Sequence, residues 1–133
     1  MNTIDYIKEA MEIDEQYLYE MSKIGYFDKF NIIIWTNDKG NIPHFHVMDA
    51  NSNGNEFHTC IEIKKCSYFH HTGKEDILNS KQKKKLVEFL TDKCSMKRFS
   101  NFTNWEVLVV LWNMNNSDMI VDEDTLMPDY TKL

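Results

Sequence analysis

The sequence lacks most of the features by which common enzyme classes are recognised. Its 133 residues include only four glycines, too few for a nucleotide cradle, and it has no Gly-rich phosphate loop, HExxH, GxSxG or paired zinc-finger spacing. The longest apolar run, residues 107–112, is far shorter than the roughly 20 residues that span a bilayer. The N-terminus is acidic, whereas a signal peptide begins with basic residues. We therefore expect a cytoplasmic protein that does not bind membranes.

Cysteine is also scarce. Cys60, Cys66 and Cys94 are odd in number and form no CxxC pair, which is typical neither of a disulfide framework nor of a thiolate zinc site. We expect reduced thiols that are mostly packed inside the protein.

The charge is negative overall and unevenly distributed. A formal net charge of -6 disfavours direct nucleic-acid binding, because phosphate contacts depend on clustered Lys and Arg. The basic run at residues 81–85 is typical of a solvated first helical turn, with a phosphate-binding patch as the alternative. The C-terminus is acidic and contains Asp122, Glu123 and Asp124.

Length and an apolar share of 42% indicate a single domain, residues 1–133, that folds alone. Hydrophobic spacing predicts an N-terminal helical segment over residues 1–25, closed by Gly25 in the left-handed conformation. A sheet with helices follows over residues 30–117. The acidic tail, residues 118–133, has no clear period and is expected to be extended or loosely docked.

Four strands are predicted between the N-terminal segment and the later helices. A β-branched and aromatic run at residues 30–35 is followed by a turn signal and a return strand at residues 43–48. A third strand is predicted at residues 56–64 and a fourth around residues 66–71. The strand at residues 30–35 is apolar on both faces, which predicts either a central strand covered twice or a homodimer interface.

The hydrophobic period then changes from two to about 3.6, which predicts two helices. Ser80 is the expected N-cap of the first helix and Asn104 that of the second. The fold class is therefore α+β, with an antiparallel sheet of about four strands. An N-terminal helix and two C-terminal helices pack mainly on one face of this sheet.

Strand alternation gathers the chemically useful side chains on the other face. Successive side chains point to opposite sides of a strand, and a helix layer covers only one side. The polar side chains predicted to share the uncovered, solvent-facing side are His44, His46, His58, Cys60 and Glu62.

Three interpretations of this cluster stay open. Histidines at i and i+2 on a strand, His44 and His46, reach one divalent metal ion, and His58 and Glu62 would complete a site with a position for water. The same imidazoles are suited to acid–base catalysis, because unperturbed imidazole titrates near neutral pH. The third interpretation is an ordinary half-solvated sheet face, since an HxH sequence is a weak motif.

Aromatic residues close to this face predict a docking surface. Trp35, Tyr68 and Phe69 would form an exposed aromatic patch if the histidine face binds a partner. We therefore include Tyr68 and Phe69 with the acidic tail residues as candidate partner-binding positions.

The order of motifs resembles an uncharacterised family of small bacterial domains. The motifs are PHFHV at residues 43–47, IEI at 61–63 and NWE at 104–106, and the family has a PPHFHA-like strand and an NWE-like helix start. The resemblance covers roughly residues 30–116, and Ile42 stands where the family often has its first proline. Family members are similar to parts of toxin–antitoxin-like pairs and mobile-element cargo, which implies a non-enzymatic interaction protein.

We accordingly expect a small regulatory protein that acts by binding a protein partner. A nucleic-acid-binding toxin or a defence nuclease has a basic surface that would complement Asp122, Glu123 and Asp124. If the partner is a defence nuclease, the protein would be a phage or plasmid anti-defence protein, of which anti-CRISPR proteins are an example. The alternative is a metal- or histidine-dependent nuclease or phosphoesterase, with His44 and His46 as the catalytic residues.

Overall fold

The computed structural model describes residues 21–35, 42–70, 76–122 and 124–133. The elements in these ranges are β1 (Met21–Phe27), β2 (Phe30–Trp35), β3 (His44–Asp49), β4 (His58–Glu62), α1 (Ser80–Thr91) and α2 (Asn104–Asn115), with short 3-10 helices at Lys97–Phe99 and Tyr130–Lys132. The strands form one antiparallel sheet in the order β1-β2-β3-β4. The predicted α+β class with a four-stranded antiparallel sheet is confirmed.

The first strand of the sheet differs from the prediction. Residues 21–25 were expected to end a helix, but they belong to β1, which pairs with β2 and carries a bulge between Lys23 and Gly25. Residues 1–20 of the predicted helix lie outside the described residues. Gly25 packs closely against α1: a Cβ atom there would lie 2.6 Å from Cζ of Phe89, so the Phe89 ring would have to shift. The predicted left-handed helix end at Gly25 is therefore wrong.

The prediction of a strand around residues 66–71 is also wrong for residues 66–70, the part that the structure describes. Within residues 66–70, Tyr68 forms an isolated bridge with Ile61 and no strand is present. The second and third predicted strands are found as β3 and β4, although β4 is shorter than expected. The turn predicted between residues 37 and 41 lies outside the described residues.

Both described helices begin with a capping box, one residue earlier than predicted. The side chain of Asn79 accepts from the backbone N–H of Gln82, and Thr103 accepts in the same way from Glu106. The side chains of Gln82 and Glu106 accept in return from the cap backbone. Ser80 and Asn104 are therefore the first helical residues.

The main core lies between one face of the sheet and the helices. It includes Phe30, Ile32, Phe45, Val47, Ile61, Leu86, Leu90, Val107, Leu108 and Leu111. On β2, Ile32, Ile33 and Ile34 are all buried, so this strand is covered on both faces within one chain. That burial accounts for its continuous apolar sequence. None of the described helices is long and apolar enough to cross a membrane.

The C-terminal segment is docked on the domain rather than loosely attached. Val121 and Tyr130 are buried, and the Tyr130 hydroxyl donates to the carbonyl oxygens of Glu62 at 2.8 Å and Ile63 at 3.1 Å. The Asn113 side chain donates to the carbonyl of Val121 and accepts from its N–H. These contacts hold the segment against α2 and the end of β4.

Candidate metal centre

The second face of the sheet carries the histidines, and it is not solvated as predicted. His44 and His46 are both 0% exposed, and every residue of β3 is buried. Aromatic rings cover this side: the indole of Trp35 stacks on the His46 imidazole with ring centroids 4.3 Å apart, and Phe69 packs on His44 at 4.7 Å. For these two histidines, the half-solvated interpretation is therefore wrong.

The register between β3 and β4 brings the polar side chains together. His46 is the cross-strand partner of Cys60, and His44 is the partner of Glu62. Directly opposed residues in an antiparallel pair have their side chains on the same face. The predicted grouping of these side chains on one face is thus confirmed, although their surroundings are apolar and aromatic.

The atoms of this group lie within hydrogen-bonding or ligating reach of one another. Nδ1 of His46 lies 3.2 Å from Sγ of Cys60 and 2.8 Å from Nε2 of His58. Nε2 of His46 is farther from the sulfur, at 4.0 Å. The Nδ1 side of the His46 ring therefore faces both neighbours.

The orientation of His44 leaves one ring nitrogen suited to ligation. Its Nδ1 lies 2.6 Å from the carbonyl oxygen of Ile42. A carbonyl oxygen only accepts, so Nδ1 must donate, and in the neutral ring Nε2 then carries the lone pair. Metal-binding histidines are usually oriented in this way, with the second nitrogen donating to a carbonyl or carboxylate.

Among the described residues, one group of side chains has the spacing of a metal site. One ligand atom each from His44, His46 and Cys60 lies within 4.8 Å of the others, and all three residues are buried. His58 and Glu62, which were predicted as ligands, lie outside this group and are half-buried. His58 nevertheless contacts His46 directly.

The chemistry of the donors fits a thiophilic ion. Two imidazole nitrogens and one thiolate suit Zn²⁺ and related transition metals, whereas Mg²⁺ and Ca²⁺ prefer oxygen ligands. None of the three cysteines, all within the described residues, forms a disulfide, so the Cys60 sulfur can ligate as a thiolate. Three protein ligands leave a fourth position in a tetrahedral site.

An unsatisfied donor borders the same cluster. Within the described residues, Nε1 of Trp35 is buried without a hydrogen-bond acceptor, and the Trp35 ring also approaches the His58 ring at 6.1 Å. A buried unsatisfied N–H costs free energy.

The other predicted site residues are distributed over two regions. Tyr68 and Phe69 are half-buried; the Tyr68 hydroxyl accepts from the backbone N–H of Leu78, and burial raises the pKa of Tyr68. Phe69 therefore helps to enclose the histidine face, whereas Tyr68 packs against the main core, and the two do not form an open patch. Asp122 and Asp124 are exposed on the C-terminal segment, and Glu123 lies outside the described residues.

Exposed apolar side chains accompany the acidic residues of the C-terminal segment. Met119 is 42% exposed, Ile120 60% and Leu126 86%. The segment is anchored on both sides of these residues, since the Trp112 indole donates to the carbonyl of Met119 and Tyr130 is buried. The described part of this segment therefore exposes both acidic and apolar side chains.

Cys60 is the ligand candidate that sequence reasoning left out of the metal set. Alternation placed it on the histidine face, and the register opposite His46 is what brings its sulfur to the site. An odd cysteine count without a CxxC pair pointed away from thiolate ligation, because that rule addresses sites built from cysteine pairs. The chain matches no protein-family model, and it has no significant match among curated proteins or solved structures.

Proposed function

We propose that this protein is a cytoplasmic metal-binding interaction domain. A thiophilic ion such as Zn²⁺ is held by His44, His46 and Cys60, and the acidic C-terminal surface binds a protein partner. The observation that carries the metal assignment is the burial of all three donors within 4.8 Å of one another. A reducing cytoplasm keeps the Cys60 thiol available for ligation.

Burial favours a stabilising or regulatory ion over a hydrolytic one. A hydrolytic centre needs a ligand position that both water and substrate reach. His44 and His46 are fully buried beneath Trp35 and Phe69, which would exclude a phosphodiester from the ion. An ion there would instead join β3 to β4, and its binding free energy would add to the stability of the folded state.

The C-terminal surface supports the interaction part of the proposal. Asp122 and Asp124 supply charge, and Ile120 and Leu126 supply apolar area on the same anchored segment. A partner with a basic surface and an apolar recess would match both properties. A nucleic-acid-binding toxin or a defence nuclease has such a basic surface.

Metal analysis tests the first part. The untagged protein would be loaded with one equivalent of Zn²⁺, dialysed exhaustively and assayed by elemental analysis. We expect about one ion per chain in the wild type and a large loss in Cys60→Ser and His46→Gln. Cys66→Ser and His70→Gln are matched controls, because both residues are exposed, and they should retain the ion. No ion in the wild type, or equal loss in the controls, would refute the metal centre.

Site-specific crosslinking in the native host tests the second part. A photo-crosslinking residue at position 126 should yield a discrete adduct with a basic protein, and the same residue at exposed Lys64 should not. Asp122→Lys combined with Asp124→Lys should abolish the adduct, because the charge complementarity is reversed. An adduct that survives the charge reversal would argue against this surface.

A second candidate function is supported by the pair formed by His46 and His58. Two imidazoles 2.8 Å apart, one of them half-buried, could relay a proton in a histidine-dependent nuclease or phosphoesterase. Metal-free protein should then cleave a chromogenic phosphodiester, and His58→Ala should abolish that activity. Absence of cleavage with and without Zn²⁺ would remove this candidate.

A further inference from the structure

We infer that the buried site formed by His44, His46 and Cys60 selects Cu⁺ over Zn²⁺. This inference rests on the metal-binding function proposed above, because it names the ion that these three side chains would hold most tightly. The donor set, the charge of the occupied site and its enclosure by aromatic rings all favour the monovalent ion.

The donors match a copper site more closely than a structural zinc site. Two imidazoles and one thiolate form the trigonal donor set of copper centres, and soft thiolate ligands select Cu⁺. Structural Zn²⁺ almost always has four ligands. Within the part of the chain that the structure describes, the metal-spaced group contains three donors, and His58 and Glu62 lie outside it. Cu⁺ is stable with three ligands, so the group would complete its coordination without water.

Strand pairing brings these three donors together. Cys60 lies directly opposite His46, with Sγ 3.2 Å from Nδ1, and His44 precedes His46 on the same face of β3. Nδ1 of His44 donates to the carbonyl oxygen of Ile42, so Nε2 is the nitrogen that would bind the ion. One ligand atom from each residue lies within 4.8 Å of the others. The pairing of β3 with β4 therefore fixes which side chains face one another.

The charge of the occupied site differs between the two ions. Both imidazoles bind as neutral rings and Cys60 binds as a thiolate, so the thiol proton leaves to solvent when an ion enters. Cu⁺ then takes the place of one proton and the centre stays neutral, whereas Zn²⁺ leaves a net positive charge. Burying an unpaired charge is costly. His44 and His46 are 0% exposed and Cys60 is 2% exposed, so the site favours the ion that adds no charge.

Aromatic rings enclose the two histidines. Trp35 stacks on His46 with ring centroids 4.3 Å apart, and the rings of Phe69 and Trp112 lie 4.7 Å and 5.3 Å from that of His44. Held by three protein ligands, a zinc ion takes water in its fourth position. Neither histidine is exposed to bulk water. Because Cu⁺ needs no fourth ligand, this enclosure also favours the monovalent ion.

Competition between the two ions tests the inference on the untagged full chain. Protein loaded with one equivalent of Zn²⁺ is titrated without oxygen with Cu⁺, supplied as its acetonitrile complex. Released Zn²⁺ is measured with a chromophoric indicator. One equivalent of Cu⁺ should release most of the bound Zn²⁺, whereas Zn²⁺ added to the Cu⁺-loaded protein should release almost no copper.

X-ray absorption at the copper edge identifies the ligands. The spectrum should be that of three-coordinate Cu⁺ with two nitrogen scatterers and one sulfur scatterer. Cys66→Ser removes an exposed thiol and should match the wild type in both spectrum and zinc displacement. Cys60→Ser should lose most of its affinity for Cu⁺ in competition with a copper(I) chelator, because serine is neither a soft nor an anionic ligand here. Circular dichroism establishes whether this variant is folded.

The wild-type measurements decide the outcome even if Cys60→Ser does not fold. Retention of Zn²⁺ against one equivalent of Cu⁺ would overturn the preference for Cu⁺ while the proposed metal centre stands. A copper spectrum with a second sulfur or a fourth ligand would overturn the three-ligand copper site. If the wild type binds neither Cu⁺ nor Zn²⁺, the proposed metal centre itself is refuted.

Discussion

Nδ1 of His46 and Nε2 of His58 lie 2.8 Å apart across the β3–β4 pair. Each atom is a donor when its ring is protonated, so the contact holds only while one of the two nitrogens accepts. Two imidazolium rings at this distance would repel each other and would have no lone pair for a metal. If the cluster binds a metal as proposed, its affinity should therefore depend on pH.

We expect the affinity for Zn²⁺ to fall steeply as the pH is lowered from about 7.5 to about 5.5, because the ligands must be deprotonated to bind. Competition with a chromophoric chelator at several pH values measures this change. The Cys66→Ser variant should follow the wild-type curve, since its exposed thiol takes no part. An affinity that is constant over this range would contradict ligation by the histidines.

Alternation of polar and apolar residues, together with turn residues, predicted part of the sheet from the sequence. β2, β3 and β4 were recognised from β-branched runs and alternating polar residues, and the shared face of His46 and Cys60 followed from alternation. Burial of that face was not predictable, because it depends on Trp35 and Phe69 folding over the histidines. Contacts of this kind join residues far apart in sequence and leave no periodic signal.

β1 was missed for a related reason. Gly25 lies in the middle of a short strand. From the sequence it was predicted to end a helix, because glycine weakens strands and often terminates helices. Its actual role is set by Phe89, more than sixty residues later in the chain and packed against the sheet. Likewise, the pairing of β3 with β4 places Cys60 opposite His46, and the number and spacing of cysteines in the sequence do not reveal that pairing.

The contact at Gly25 predicts a specific packing defect. Gly25→Ala should lower the free energy of unfolding by about 1–3 kcal/mol, because its Cβ would overlap the Phe89 ring. Urea denaturation followed by circular dichroism measures the loss. Phe89→Leu shortens the opposing side chain, so the alanine substitution should cost less in that background. Equal cost in both backgrounds would show that the ring is not responsible.

The Tyr130 hydroxyl predicts both a stability loss and an alkaline effect. Tyr130→Phe should lower the free energy of unfolding by about 1–2 kcal/mol, because the carbonyl groups of Glu62 and Ile63 lose their donor. The exposed Tyr26→Phe is the matched control and should be close to neutral.

The pKa of Tyr130 is raised, chiefly by burial. Above about pH 10 an unfolded tyrosine ionises while the folded one keeps its proton, so stability falls as the pH rises. Denaturation midpoints measured from pH 8 to pH 11 should therefore drop more steeply for wild type than for Tyr130→Phe. Parallel curves for the two proteins would exclude Tyr130 as a source of alkaline sensitivity.

The hydrogen bonds to the Asp49 carboxylate predict that the folded protein loses stability at low pH. The Ser52 side chain and the backbone N–H groups of Phe57, Ser52 and Glu56 donate to its carboxylate and lower its pKa from 3.8 to about 2. The unfolded state therefore takes up a proton before the folded state does, and stability is lost as the pH falls from about 4 to about 2. Above that window the stabilisation is fully present.

Asp49→Asn should lower the urea midpoint at pH 7 and flatten its decline toward acid pH, because the amide accepts fewer of these hydrogen bonds and does not titrate in that range. Asp124→Asn is the matched control, since Asp124 is exposed, and its acid profile should follow the wild type. Urea titrations at pH 7, 4 and 2.5 distinguish the two variants. If Asp49→Asn loses stability toward acid as steeply as the wild type does, the hydrogen bonds that close the β3–β4 loop are not the source of the acid sensitivity.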